Sequence, residues 1–183
     1  MGIGGTSEEL WKSLPGSMRT KVRKAEKNDF TLHWGLETKN LFDFYDVLAD
    51  NMHRKGAPIY GMKFMEEIIH EFCRTRGSEV SILTLHLGGK VISGAMVIRH
   101  AGVVYVPFVS SRSEFFPLRP NNLLYWEIIR DGNRRGNQLL DFGTSLRGAS
   151  TLKFKESWGS RTYSIASYVH SESGEKSRVD ADA

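Results

Sequence analysis

The stretch "EVSILTLHLGGKVISGAMVIRHAGVVYVPFVSS", residues 79–111, decides the fold. Before it, apolar residues recur at the spacing of a helix; inside it the period drops toward two, the signature of strands. It divides into "EVSILTLHL", "KVISGAMVIRH" and "VVYVPFVSS", three strands of a meander joined at Gly88-Gly89 and around Gly102. In the first strand Val80 and Ile82 fall on one side and Leu83, Leu85 and Leu87 on the other. Apolar residues on both faces require a sheet that is covered on both sides. Pro107 interrupts the third strand and has no N–H to give a ladder, so an edge, a splay or a bulge is expected there.

Outward toward the N-terminus the helical period holds. "LPGSMRTKVRKAEK" is expected to form a helix, with Pro15 in its first turn and Met18, Val22 and Ala25 on one side. "NLFDFYDVLADNMHRKG" places Leu41, Phe44, Tyr45, Leu48 and Met52 on one face, with Asn40 as the expected cap and Gly56 as the stop. "MKFMEEIIHEFCRTRG" is expected to bury Phe64, Ile68, Ile69 and Phe72, with Cys73 as an inert thiol on that face. Toward the C-terminus come a loop, "SRSEFFPLRPN", and a helix, "NLLYWEIIRDGNRRG", with Asn122 as cap and Gly136 as stop. Strand "QLLDFG", helix "STLKFKESWG" and strand "RTYSIASYV" complete the order. The expected fold class is α+β, toward the α/β mixed-sheet range, with helices on both faces of one sheet. Residues 12–170 form the expected single domain with a basic helix, 15–27, in front; residues 1–11 and 171–183 are expected to be flexible.

Composition narrows the class. At 183 residues, 40% hydrophobic and 25% charged, the chain has the profile of a globular domain rather than a disordered one. No apolar run is long enough to cross a bilayer, and "MGIGGTSEEL" lacks the basic start and apolar stretch of a secretory signal, so a cytoplasmic location is expected. One cysteine excludes an internal disulfide and a cysteine-based zinc site, the six histidines show no HExxH spacing, and no metal is expected. The net charge of +4 is concentrated near the start, where Lys12, Arg19, Lys21, Arg23, Lys24 and Lys27 face only Glu26. Such a helix suits phosphate, an acidic partner or a membrane surface, or is a solvated face.

Several enzyme signatures fail. Asp141-Phe142-Gly143 matches a kinase metal motif in letters, but no glycine-rich loop, strand lysine or H-R-D loop accompanies it, so Asp141 is expected to tie down the following loop. No P-loop, dinucleotide fingerprint or G-x-S-x-G elbow is present.

The order of elements resembles the GNAT-type N-acyltransferase fold. Within that group the chain resembles the FemAB family, which transfers amino acids from aminoacyl-tRNA to peptidoglycan precursors. The resemblance is carried by "RTKVRKAEKNDF" (19–30), "NMHRKGAPIYGMKFMEEIIHEF" (51–72), "ISGAMVI" (92–98) and "LDFGTS…LKFKESWG" (140–159), and spans residues 12–169. FemAB proteins usually carry two GNAT-like domains; this chain has length for one and resembles the second. The resemblance implies a fragment, or a half-sized relative that pairs with a second copy or a second GNAT-like domain.

It also implies a set of functional residues. Acyl transfer to an amine passes through a tetrahedral oxyanion, which needs positive charge or oriented donors where that oxygen forms. Lys155 is the expected electrostatic partner of an acyl oxygen or a tRNA phosphate, with Phe154 stacking on the terminal adenosine and Tyr105 in the catalytic group. Arg54, Phe108 and Lys153 are expected to hold the acceptor, Arg54 as a guanidinium fork for a diphosphate. Arg19, Arg23 and Lys24 are expected to follow a tRNA backbone. Each has a plain structural alternative, core packing for the aromatics and a solvated face for the cations. Acetyl-CoA enzymes of this fold cradle pyrophosphate on backbone N–H groups of a glycine-rich turn. Here that place holds "SSRSEFFPLRPNN", with no glycine and two prolines. The leading expectation is therefore transfer from aminoacyl-tRNA, without a cofactor, to an amine of a cell-wall or polysaccharide precursor. The alternatives are an acyl-CoA-dependent N-acetyltransferase and a non-catalytic half-module.

Overall fold

The computed structural model describes residues 1–169 and 177–180. Its elements run α1 (Ser7–Ser13), α2 (Gly16–Glu26), β1 (Phe30–Gly35), α3 (Thr38–Arg54), α4 (Met62–Arg74), β2 (Ser78–Leu87), β3 (Lys90–His100) and β4 (Val103–Ser111). A 3-10 turn (Ser113–Leu118) leads into α5 (Pro120–Arg134), followed by β5 (Leu139–Asp141), α6 (Ser150–Glu156), β6 (Ala166–Val169) and β7 (Ser177–Asp180). The main sheet has the order β1-β2-β3-β4-β5, antiparallel except for the parallel β4–β5 pair.

The two-sided hydrophobicity of β2 becomes two cores. Leu83 and Leu85 face a layer made by α1, α2 and α5, packing with Met18, Val22, Leu124 and Ile128. Val80 and Ile82 face the other way, with Met96 and Ile98 of β3, onto Leu41, Phe44 and Leu48 of α3 and Met65 of α4. Each fully buried aliphatic side chain here contributes about 1.5–3 kcal/mol. Gly94 has a packing reason: a Cβ on it would lie 2.9 Å from Cδ2 of Phe44, so α3 can seat on the sheet only where β3 has no side chain.

Several expectations are corrected. Residues 1–11 are not loose: the backbone of Met1 and Ile3 hydrogen-bonds along β5, and Thr6 and Glu9 form a capping box that starts α1. β1 was not anticipated. Its apolar positions, Phe30, Leu32 and Trp34, alternate with Thr31 and His33 over only six residues between charged flanks. Asn40 does not cap α3. The helix begins two residues earlier, and buried Asn40 donates to Ile82 O (2.9 Å) while accepting from the Thr84 hydroxyl, tying helix to sheet. Asn122 likewise lies inside α5, buried, its amide against Met18 Sδ. In α4 Met65 takes the buried position, Phe64 is 42% exposed and Cys73 is exposed. The last strand is confined to β6, which pairs with β7 in a separate antiparallel ribbon instead of joining the main sheet. The tail expected to be flexible thus contains β7, and its remainder lies outside the described residues.

Candidate active site

The site is a gap between strands. β5 pairs with β4 only from Val103↔Leu139 to Tyr105↔Asp141, whereas β4 continues to Ser111. The β3–β4 register shifts between Met96 and Ile98, opposite Val106-Pro107, which is the irregularity that the proline imposes. Past Asp141 the chain leaves the sheet through Gly143, at φ 71°, whose N–H donates to Asp141 Oδ1 at 2.8 Å. Asp141 is thus a loop anchor. Only glycine adopts this φ without strain.

The gap opens a cavity of about 310 Å³, the size of a small-ligand site. One wall is the free edge of β4, Tyr105 to Val109; a second is the end of α3 with Asn51, Met52 and Lys55, extended by Ile59 and Tyr60. The third is the loop Phe142–Ser145 with Thr151 and Lys155, and buried Tyr125 of α5 also lines the cavity. Lys155 is held rather than free: its ammonium donates to Gly143 O (3.0 Å) and Thr144 O (2.7 Å). Burial lowers its pKa from the ordinary lysine value, with Asp141 opposing the shift. An ammonium with two donors committed to carbonyls keeps one N–H for a ligand.

Three residues expected from the sequence line this cavity: Tyr105, Phe108 and Lys155. Phe154 lies beneath it, half-buried against Tyr125 and Trp158 with ring centroids 5.5 and 6.3 Å away, so its side chain packs with the core. Lys153 is exposed on α6. Arg54 stands at the end of α3 and donates to Asn51 Oδ1 at 2.8 Å, which ties it to a cavity-lining residue. On α2, Arg23 lies over the Trp11 ring at 5.4 Å, and neither Arg19, Arg23 nor Lys24 has an ion pair among the described residues. Tyr60, Ser145 and Tyr125 were not anticipated: Tyr125 sits in "NLLYWEII", which reads as core, and the other two lie in loops without periodicity.

A second depression lies at the β3–β4 turn around Arg99, Arg135 and Glu79. Its charges satisfy one another: Arg99 and Arg135 both bind Asp131, and Arg135 binds Glu79 at 3.0 Å. Among the described residues no three His, Cys, Asp or Glu side chains come together to hold a metal ion. No described helix is long and apolar enough to cross a membrane.

The start of α5 is where an acyl-CoA pyrophosphate would meet backbone donors. Pro120 has no N–H, the Asn122 N–H bonds the Arg119 carbonyl at 3.1 Å, and the Leu123 N–H makes the helix's first i→i−4 bond to the same carbonyl at 3.4 Å, so of the first turn's amides Asn121 alone is left to meet a phosphate. Arg112, at the entry to this turn, is neutralised by Asp46 and Asp50 of α3. The residues present do not form a glycine-rich pyrophosphate cradle.

A meander followed by helix, strand and helix, with a cleft where β4 and β5 part, defines a GNAT-type acyltransferase fold. The acetyltransferase (GNAT) domain model matches residues 13–156, and the chain belongs to that family. No curated protein matches the sequence. Among solved structures, FemX superposes with a TM-score of 0.74 at 15% identity, covering 87% of this chain, which spans 57% of FemX. The ribosomal-protein-S18-alanine N-acetyltransferase from Escherichia coli gives 0.57 at 17% identity, with 80% and 88% of the two chains covered. AAC(6')-Iy, solved with a CoA-S-monomethyl-acetylneamine bisubstrate analogue, gives 0.58 at 13% identity, with 79% and 99% covered. At these identities the likeness is one of fold.

Proposed function

We propose that this domain is a FemAB-like aminoacyltransferase that moves an amino acid from the ester of an aminoacyl-tRNA to an amine of a cell-wall or polysaccharide precursor. The observation that carries the reading is a pairing. The fold's acyl-transfer cleft is open and holds a lysine, while the helix start that would cradle a CoA pyrophosphate follows a glycine-free turn and opens on Pro120, which has no N–H to give. A donor whose handle is tRNA does not need that cradle.

In this reading the acceptor amine enters between Tyr105 and Phe108, and its nitrogen attacks the ester carbonyl. Lys155 faces the carbonyl oxygen as charge develops, at a fixed position because two carbonyls hold it. Phe154 acts through α6, setting the position of Lys155 from below. Arg54, held by Asn51, meets acceptor phosphate at the rim, with Lys153 as an outer cation. Arg19, Arg23 and Lys24 supply unpaired charge for the tRNA backbone. Because the chain spans 57% of FemX, a second GNAT-like domain or a second copy completes the acceptor site.

The family description favours a second reading, an acyl-CoA-dependent N-acetyltransferase. The test that separates the two supplies labelled aminoacyl-tRNA and labelled acetyl-CoA in parallel to one nucleotide-linked muropeptide acceptor. Label arriving only from tRNA is the expected result. Label arriving only from acetyl-CoA overturns the proposal.

A further inference from the structure

The cavity where β4 and β5 part carries charge of one sign. Its charged lining residues are Lys55, at the end of α3, and Lys155, on α6, so two different walls each present an ammonium. Among the described residues neither lysine has an ion pair. None of the described aspartates, glutamates or histidines lines the cavity. Its other titratable groups are the phenols of Tyr60, Tyr105 and Tyr125, from the α3–α4 loop, β4 and α5. Burial pushes the Tyr125 pKa far above the ordinary tyrosine value. His53 of α3 and Asp141 of β5 stand outside the lining; Asp141 accepts from the Gly143 N–H at 2.8 Å and opposes the lowering of the Lys155 pKa.

These charges select the form in which an amine enters. A protonated acceptor would meet two like charges in a partly desolvated space, and both effects favour its neutral form. Lys155 itself registers the desolvation, since burial lowers its pKa although two carbonyls hold the ammonium. An ammonium and a phenol offer protons at neutral pH and do not accept them. We infer that the acceptor amine binds already neutral, with no cavity residue to deprotonate it, and that the acceptor is a weakly basic amine of the α-amino kind. The inference rests on the acyltransferase reading but not on the identity of the acyl donor. The ammonium proton passes to water before entry. In the cavity the neutral nitrogen bonds to the carbonyl carbon, the ester bond to the ribose oxygen breaks, and one nitrogen-bound proton ends on that oxygen. With a thioester the carbon–sulfur bond breaks and sulfur takes the proton. At pH 7.5 about a third of an α-amine is neutral, against about 0.1% of a lysine side chain, a difference of roughly 300-fold. The greater nucleophilicity of the more basic amine recovers part of that factor.

The test offers the full chain two nucleotide-linked muropeptides. One has a free lysine side-chain amine; the other has glycine already on that nitrogen, so its free amine is α. Transfer from aminoacyl-tRNA and from acetyl-CoA is followed in parallel between pH 6 and 9. With whichever donor serves, kcat/KM for the α-amine rises about tenfold per pH unit and levels off near pH 8, while for the side-chain amine it still rises at pH 9. At pH 7.5 the α-amine is favoured at least about tenfold. Profiles that level off at one common pH give the proton to a group of the protein and overturn the inference, as does equal use of the two amines at pH 7.5. Titration calorimetry without a donor, at pH 7 in two buffers of different ionisation enthalpy, reads the protonation state from binding alone. Close to one proton released per α-amine acceptor bound is expected; binding without release, or no binding of that acceptor, overturns the inference. Label arriving only from acetyl-CoA removes the tRNA reading, and the two pH profiles then decide the amine with that donor.

Discussion

Lys155→Met separates the loop-closing bonds that the ammonium makes in the structure from the catalytic role proposed for it. Methionine keeps much of the stem's volume and its contacts along α6 but offers no donor. In the folded protein the ammonium closes the loop after β5 by binding Gly143 O and Thr144 O at 3.0 and 2.7 Å. A hydrogen bond to a charged group contributes about 1.5–3 kcal/mol when shielded. Here both carbonyls lie at a cleft that water reaches, and removing the charge also removes its desolvation cost, so a net loss of about 1–2 kcal/mol follows. For a domain of this size that lowers the melting temperature by about 2–8 °C. Loss of the oxyanion partner lowers kcat about 100- to 1,000-fold. Thermal unfolding and steady-state transfer on one preparation measure both. A melting temperature within 1 °C of wild type refutes the loop-closing role, and an unchanged kcat refutes the catalytic one.

Asp131 accepts from Arg99, Arg134 and Arg135, and Arg99 is buried at 4% exposure. Asp131→Asn leaves a buried guanidinium with the Ser81 hydroxyl at 2.8 Å and a single carboxylate, Glu79, at 3.9 Å, so a loss of about 3 kcal/mol is expected by chemical denaturation; less than 1 kcal/mol would mean that the network is dispensable. His86 is buried 3.0 Å from the Thr84 hydroxyl, and its pKa lies below the ordinary 6.5 through burial first and neighbouring His33 second, with Asp43 opposing and Lys39 adding slightly. Since the unfolded chain takes up the proton more readily, stability is complete above about pH 6.5 and falls as pH drops toward the lowered folded value. His86→Gln flattens the melting-temperature profile between pH 7.5 and 5, and identical profiles for the two proteins would contradict the assignment.

The meander was legible because β2 is apolar on both faces, and a strand buried on both sides leaves that pattern wherever it occurs. Pro107 announced the β4 irregularity for the same local reason: a missing N–H needs no tertiary context. β1 left almost no signal because an edge strand buries only half of a short alternation. Asn40 and Asn122 misled because a cap and a buried bridge use the same side chain; which role it takes depends on a distant partner, Thr84 in one case and Met18 in the other. At the site, Lys155 stood out as a charge among aromatics. Tyr125 did not, because "NLLYWEII" reads as core and only the fold shows that it borders the cavity.

The central claim is that this acyltransferase cleft is served by tRNA and not by coenzyme A. Isothermal titration of the protein with acetyl-CoA, at two temperatures so that a zero enthalpy cannot conceal binding, tests it most directly. The account predicts no saturable heat at either temperature, because a glycine-free turn and Pro120, which has no N–H, leave the pyrophosphate without a cradle. Saturable micromolar binding would contradict it and make the domain an acyl-CoA enzyme.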